Sequence, residues 1–207
     1  MSLEKFRKVI GDFVPSSSLD LVLSLIEKKP FHLRITEPRK TKKGDFRPSL
    51  KKDAYHKISV NGDLNTYEFL VTLIHEYAHL ITWDAFGRKV KPHGEEWKSN
   101  FASLLQPFIE LKCFPDELEH ALRGHMKSVK AASCVDIKLQ KVFRMYDDGP
   151  QKLTVEELPE NSVFLYSKDR LFKKGPRLRK RYKCESLADG RMYLFSPLAE
   201  VELSEAE

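Results

Sequence analysis

A histidine pair inside one apolar helix is the feature that most constrains this chain. In TYEFLVTLIHEYAHLITWDAF, His75 and His79 lie four residues apart in a segment whose apolar residues recur with helical spacing. Side chains at i and i+4 share one face of a helix, so both imidazoles can reach one ion. Glu76 projects about 100° further around the helix, from where it can contact a water beside that ion. The H-E-x-x-H pattern therefore predicts two zinc ligands and a general base.

The setting of the pair favours a metal site over a chance match. The helix is apolar around most of its circumference, which predicts that it is buried. Its flanking apolar residues are Phe69, Leu70, Leu73, Ile74, Leu80 and Ile81. Two imidazoles and a carboxylate inside such a helix cost free energy unless they have partners, and a metal ion is the simplest partner.

A catalytic zinc takes three protein ligands and keeps one open position, so a third ligand is expected. The metzincin spacing is absent, because Thr82 and Ala85 occupy the positions where that motif has glycine and histidine. The next histidine is His93 in KPHGEEW. We expect His93 to be the third ligand, because imidazole suits zinc and Gly94 permits a close backbone approach. Glu96, one turn into the next predicted helix, is the alternative.

Composition limits the classes of protein that fit. Hydrophobic residues make up 41% and charged residues 32% of the 207 residues, which is typical of a folded globular chain. No apolar run approaches the roughly 20 residues that span a bilayer, and the N-terminal MSLEKFRKVIGDF lacks the features of a signal peptide. The cysteines Cys113, Cys134 and Cys184 are too scattered for a disulfide framework. We therefore expect a cytoplasmic protein with no membrane partner, and the oligomeric state stays open.

The order of the predicted elements indicates an α+β fold. Helices are predicted over 16–29, 65–87 and 95–105 and within 115–126, and strands within 31–62. Further on, apolar alternation predicts strands in CVDIKLQKVFRMYDD (134–148) and in the later segments SVFLYS, RLFKKGPRLRKRYKCES and RMYLFSPLAEVEL. We therefore predict two domains, an α+β domain over 1–128 and a β-rich appendage over 129–207.

A positive charge bias is concentrated in one segment. The chain carries a formal charge of +6, and KDRLFKKGPRLRKRYK (168–183) has nine Lys or Arg against one Asp. Such a run can face nucleic acid, or it can be a pair of strand edges that charged side chains keep from aggregating. The candidate nucleic-acid contacts are Lys173, Lys174, Arg177, Arg179 and Arg181.

Together these motifs resemble the SprT-like metallopeptidases. In that family a helical H-E-x-x-H precedes H-G-x-x-W/F, as LIHEYAH and HGEEW do here, and KKGDFR and HKISVNGDLN match the strands before the helix. The resemblance covers about residues 15–110 and implies a zincin-like core, with the active-site helix packed on a small antiparallel or mixed sheet. It also implies one catalytic zinc and one catalytic base. The corresponding residues are His75, His79 and His93 as ligands and Glu76 as base.

The C-terminal region departs from the family pattern. Many relatives carry a zinc ribbon with two cysteine pairs there, but RYKCESL supplies only Cys184 and has Leu187 where a second cysteine would stand. We expect no second zinc, and a ribbon-like β element that alternating apolar residues hold together. These apolar residues are Tyr193, Phe195, Leu198 and Val201.

Two functions follow from these observations. The first is a zinc metalloendopeptidase that hydrolyses peptide bonds in a protein or peptide substrate. Because relatives of the Spartan branch cleave proteins crosslinked to DNA, the resemblance extends this expectation to DNA-associated proteins and to DNA as a partner. The alternative is a nucleic-acid-binding module whose metalloprotease-like core is catalytically silent.

Overall fold

The chain divides into two compact units, residues 1–148 and 149–207. The computed structural model describes residues 3–39, 41–51, 54–127, 136–167 and 170–204. The helices are α1 (Leu3–Ile10), α2 (Leu19–Lys28), α3 (Thr66–Phe86), α4 (Glu95–Glu110), α5 (Asp116–Lys127) and α6 (Ile137–Arg144), with a 3-10 turn over Ser16–Ser18. The strands are β1 (His32–Thr36), β2 (Gly44–Arg47), β3 (Lys57–Asn61), β4 (Val163–Tyr166), β5 (Arg170–Arg177), β6 (Tyr182–Ser186), β7 (Met192–Phe195) and β8 (Glu202–Leu203).

The first unit contains a three-stranded mixed sheet in the order β1-β3-β2. The central strand β3 pairs parallel with β1 and antiparallel with β2. Ile58 and Val60 of β3 are buried and point to the face that packs on α3, as strand alternation requires. The prediction of a mixed α+β domain is confirmed. β2 is an edge strand that lies against the helix carrying the histidine pair.

The predicted long helix is present as α3. Asn65 caps its first turn by accepting a hydrogen bond from the backbone N–H of Glu68. Gly87 ends it at a φ of +61°, a left-handed conformation that glycine adopts without steric cost. Thirteen of its twenty-one residues are buried, so the polar side chains of His75 and Glu76 are held inside the core.

Two sequence predictions about helices are wrong. The segment 134–148, predicted as strand, contains α6, because Asp136 accepts hydrogen bonds from the N–H groups of Lys138 and Leu139 and thus caps a helix. The second error is the end of α4. It continues past Pro107 to Glu110, because the buried Phe108 and Ile109 gain more from packing than the missing proline N–H costs.

The predicted domain boundary is also wrong by twenty residues. The sequence placed it between 128 and 129, whereas the units divide between 148 and 149. The reason is α6, whose Leu139 and Phe143 are buried in the hydrophobic core of the first unit. Since they lie four residues apart, they share one face of the helix, and that face is apolar.

The second unit is built on a five-stranded antiparallel sheet in the order β7-β6-β5-β4-β8. The strands predicted in this region are present. Its small core comprises Val155, Leu158, Phe164, Phe172, Tyr182, Cys184, Phe195 and Val201. Within the described part of the chain, every helix is too short or too polar to span a bilayer.

Candidate metal centre

Three imidazole rings converge at the centre of the first unit. His75 and His79 lie one turn apart on α3, and His93 lies in the turn just before α4. The Nε2 atom of His93 is 3.1 Å from Nε2 of His75 and 3.1 Å from Nε2 of His79. In the described ranges, these three histidines form the group whose ligand atoms lie within 4.8 Å of one another. Glu96 is not part of that group.

The turn that carries His93 has a specific backbone shape. His93 adopts a left-handed φ of +58°, a conformation that histidine accepts more readily than most residues. A Cβ added at Gly94 would lie 2.9 Å from the carbonyl oxygen of Lys91, so the turn closes only with glycine at that position. The PHG sequence therefore positions the His93 ring against α3.

The donor set fits a metal ion. Zn–N distances of 2.0–2.1 Å in a tetrahedral site place ligand nitrogens about 3.3 Å apart, close to the 3.1 Å between the Nε2 atoms. Burial lowers the pKa of all three rings: that of His75 well below its ordinary value, that of His79 to about 4, and that of His93 as well. The rings are thus neutral near pH 7, and the neutral imidazole is the form that binds metals.

An indole ring supports the three imidazoles from one side. Trp97 is fully buried, and its ring centroid lies 4.6 Å from that of His75, 5.2 Å from that of His79 and 4.7 Å from that of His93. Phe101 stacks on the other part of the indole at 5.1 Å. Because α4 carries both aromatic rings, its packing fixes where the histidine rings can lie.

Glu76 lies beside the histidines, under strand β2. A Cβ added at Gly44 would lie 2.5 Å from Oε1 of Glu76, which shows how closely the strand backbone approaches the carboxyl group. Burial, followed by the charge of Asp45, raises the pKa of Glu76 to about 8, although the N–H of Phe46 donates a hydrogen bond to it. The carboxyl group thus lies within the cleft and can hold a proton near neutral pH.

An open cleft of about 400 Å³ runs along α3 from the histidines. One end is lined by His75, Glu76, His79, Pro92 and His93. At the other end, the ammonium group of Lys43 donates to Glu68 and to Gln140, whose amide in turn donates to Glu68. β2 forms one rim, so a bound chain could reach the histidines from the free edge of the sheet.

The close approach of Gly44 to Glu76 yields a stability prediction. We expect Gly44→Ala to destabilise the fold by about 1–3 kcal/mol, because the new methyl group overlaps the buried side chains of Glu76 and Thr72. Urea unfolding measures the change. The matched control is Gly124→Ala in α5, where an added Cβ meets nothing within 4 Å and the helix gains about 0.5–1 kcal/mol. Equal stability of the Gly44→Ala and wild-type proteins would contradict this packing.

The five predicted nucleic-acid contacts do not form one exposed set. Four of them, Lys173, Arg177, Arg179 and Arg181, are exposed, and Arg177 also forms an ion pair with Glu156 at 2.9 Å. Lys174 is buried, so the prediction for this residue is wrong. In β5 its side chain points to the same face as the core residue Phe172, because alternate residues of a strand share a face.

The buried ammonium group of Lys174 has a structural role. It donates to the carbonyl oxygens of Glu156 and Leu158 and lies 4.5 Å from the ring centroid of Tyr182. We expect Lys174→Met to cost about 1–3 kcal/mol, because both carbonyl groups lose their donor inside the protein. Lys173→Met, one residue away and exposed, is the control. Thermal unfolding of the two variants should separate them, and equal melting temperatures would refute this role.

The cysteines lie apart from the histidine group. Cys113 is buried in the first unit, where its thiol donates to the carbonyl oxygen of Ser17, and Cys184 is buried in the core of the second. Burial raises the pKa of both thiols. Cys134 lies outside the described residues.

Several residues of the cleft were not predicted as site residues. Gly44, Asp45 and Phe46 approach Glu76 from β2, and Gln140 reaches the cleft from α6. The KKGDFR segment was a usable signal for the first three, since a glycine inside a short strand indicates close backbone approach. No sequence signal pointed to Gln140, because its helix was predicted as a strand.

Comparison with known proteins finds sequence similarity in the part of the chain that holds this site. The sequence model of the SprT-like family matches residues 25–115. Two proteins named Protein SprT, from Pseudomonas fluorescens strains Pf-5 and Pf0-1, are each 54% identical over 35 residues. That match covers 16% of this chain and 21% of each relative, so the chain spans about a fifth of their length. No solved structure matches the chain with significance. The matched residues 25–115 hold the three histidines and the glutamate, so this part of the chain is similar to the SprT-like family.

Proposed function

We propose that this protein is a zinc-dependent endopeptidase. The observation that carries the proposal is the convergence of three neutral imidazoles on one point beside a buried carboxyl group, in an open cleft. His75, His79 and His93 hold the metal and Glu76 is the general base. Catalytic zinc sites have three protein ligands and leave a fourth position open to water or substrate, here from the cleft. Structural zinc sites use four protein ligands.

In hydrolysis, Glu76 and the walls of the cleft would have different roles. Zinc, when bound, lowers the pKa of a coordinated water and polarises the scissile carbonyl. The charge of a bound cation would favour the ionised form of Glu76. The carboxylate would then accept the proton of the attacking water and return it to the leaving amine nitrogen, so that it ends unchanged. The cleft walls orient the peptide beside the buried Glu76.

The substrate is an extended stretch of protein or peptide. Since β2 is an edge strand, a segment of another chain can pair with its free backbone groups and run across the histidines. The resemblance to the Spartan branch favours DNA-associated proteins as targets. The buried free thiols of Cys113 and Cys184 suit a reducing compartment such as the cytoplasm.

Chelator treatment followed by zinc addition tests this function. We expect an unfolded protein such as denatured casein to be cleaved by the purified protein, spared after chelation, and cleaved again when one equivalent of zinc is restored. Liquid chromatography with mass spectrometry identifies the new termini. Cleavage that survives complete metal removal would overturn the proposal.

The exposed cations of the second unit favour nucleic acid binding as a second candidate function, with a catalytically silent core. Arg179 and Arg181 lie exposed in the turn between β5 and β6. We expect their double replacement by alanine to weaken DNA binding and to flatten its salt dependence, whereas replacement of the exposed Lys8 and Lys28 on the first unit leaves both unchanged. No DNA binding by the wild type at low salt would exclude this candidate.

A further inference from the structure

Three buried polar atoms behind the histidine group have no hydrogen-bond partner among the described residues. They are Nδ1 of His75, Nε1 of Trp97 and Nε2 of His125. His125 is 98% buried, at the end of α5. Buried polar atoms without partners are rare, because each costs free energy, and an unsatisfied group in a folded protein calls for a physical explanation.

The donor and acceptor roles of these atoms are complementary. Nδ1 of His125 lies 3.0 Å from the carboxylate of Asp136, so it carries the hydrogen and Nε2 is an acceptor. His75 directs Nε2 toward His93, so its Nδ1 carries the hydrogen and is a donor. The Nε1 atom of Trp97 is always a donor. Two donors and one acceptor match the hydrogen-bonding capacity of one buried water, which typically makes about three bonds.

Helix packing brings these groups to the same level of the fold. α6 runs antiparallel to α3, since Asn65 donates to the carbonyl of Phe143 and Gln140 donates to Glu68. One further turn of α6 therefore places Asp136 beside the turn of α3 that precedes His75.

The ring contacts agree with this placement. Phe101 meets His125 edge-on at 6.2 Å and His75 at 5.9 Å, and stacks on Trp97. The aromatic rings of α4 therefore border both histidines within one buried region.

We propose that Asp136 and His125 form the outer support of His75, with one buried water joining Nδ1 of His75 and Nε1 of Trp97 to Nε2 of His125. Asp136 fixes the tautomer of His125, and the bridge holds His75 with its Nε2 lone pair directed at the ion. His125 is a positioning residue, because it acts through His75. This inference rests on the proposed function in one respect, which is that His75 binds the metal.

The arrangement extends the site beyond the family match. His125 and Asp136 lie outside residues 25–115, and Asp136 is also the cap of α6. The Asp136 carboxylate thus has two roles. It caps the helix that carries Gln140 to the cleft, and it supports the metal ligand His75 through His125. Groups of this kind, in which an outer carboxylate or carbonyl orients a metal-bound histidine, are known to tune metal affinity.

Zinc affinity in three variants tests the proposal. His125→Phe keeps a ring against Phe101 but removes the acceptor, His125→Gln restores an acceptor, and His120→Gln changes an exposed histidine on the same helix. Competition with a chromophoric chelator should show zinc binding weakened roughly 10–100-fold in His125→Phe, partly recovered in His125→Gln and unchanged in His120→Gln. Circular dichroism establishes that each variant is folded. A folded His125→Phe protein with wild-type zinc affinity would overturn the proposal.

A spectroscopic measurement separates this proposal from the proposed function. In ¹⁵N-histidine-labelled protein, recorded with and without zinc, we expect a slowly exchanging Nδ1 proton on His75 that is lost in His125→Phe and kept in His120→Gln. A His75 Nδ1 proton that exchanges rapidly in the folded wild type would refute the bridge. If the wild type bound no zinc but kept this protected proton, the proposed function would fail while the bridge stood.

Discussion

We expect the Glu76→Gln protein to lose peptide hydrolysis by at least about 100-fold, and by up to about 10⁴-fold, while it keeps its zinc. Glutamine has nearly the shape of glutamate, so the buried position beside β2 stays filled. It cannot accept a proton from water, however, and general base catalysis is lost. The three imidazoles that bind the metal are untouched by the change.

The measurement pairs initial rates on one peptide substrate with zinc content per chain. Glu110→Gln, an exposed carboxyl group at the end of α4, is the control and should keep full activity. Wild-type turnover by Glu76→Gln would exclude Glu76 as the base. Loss of zinc together with activity would instead mean that Glu76 supports the ligands rather than the reaction.

The second large effect is on stability. We expect Trp97→Ala to destabilise the fold by about 3–5 kcal/mol, the usual cost of truncating a large buried aromatic side chain. Trp97 is fully buried between Phe101 and the three histidine rings, so the cavity would open directly behind the metal centre. Zinc affinity should fall as well, because the indole holds the imidazoles in place.

Urea unfolding of the metal-free proteins isolates the packing contribution from zinc binding. Trp97→Phe should lose less than Trp97→Ala, since a phenyl ring fills part of the space. Trp83→Ala is the matched control: this tryptophan is only half-buried near the end of α3, where Arg88 lies over its ring. A Trp97→Ala protein as stable as the Trp83→Ala protein would contradict the role of the indole.

The metal centre could be predicted because its signals are local. His75, Glu76 and His79 lie on one helix, whose geometry alone fixes their relative directions. His93 was accessible for a similar reason, since the proline and glycine on either side of it predict a turn between two helices. Local sequence does not decide whether His93 or Glu96 is the third ligand, because that depends on how α4 packs against α3.

Other features depended on tertiary packing. VDIKL in 135–139 alternates like a strand, and only the Asp136 cap and the burial of Leu139 and Phe143 make the region that follows a helix. Lys174 belonged to a charge run that indicated exposure, yet strand pleating placed it in the core beside its carbonyl partners. Each case is a local pattern that long-range contacts override.

The central claim is that His75, His79 and His93 together hold one metal ion. Elemental analysis of the wild-type, His93→Ala and Glu96→Ala proteins, purified side by side, tests it most directly. We predict one zinc per chain in the wild type and in Glu96→Ala, and none retained in His93→Ala, because two ligands from one helix turn bind too weakly to survive purification. A full zinc complement in His93→Ala, or its loss in Glu96→Ala alone, would contradict the three-histidine site.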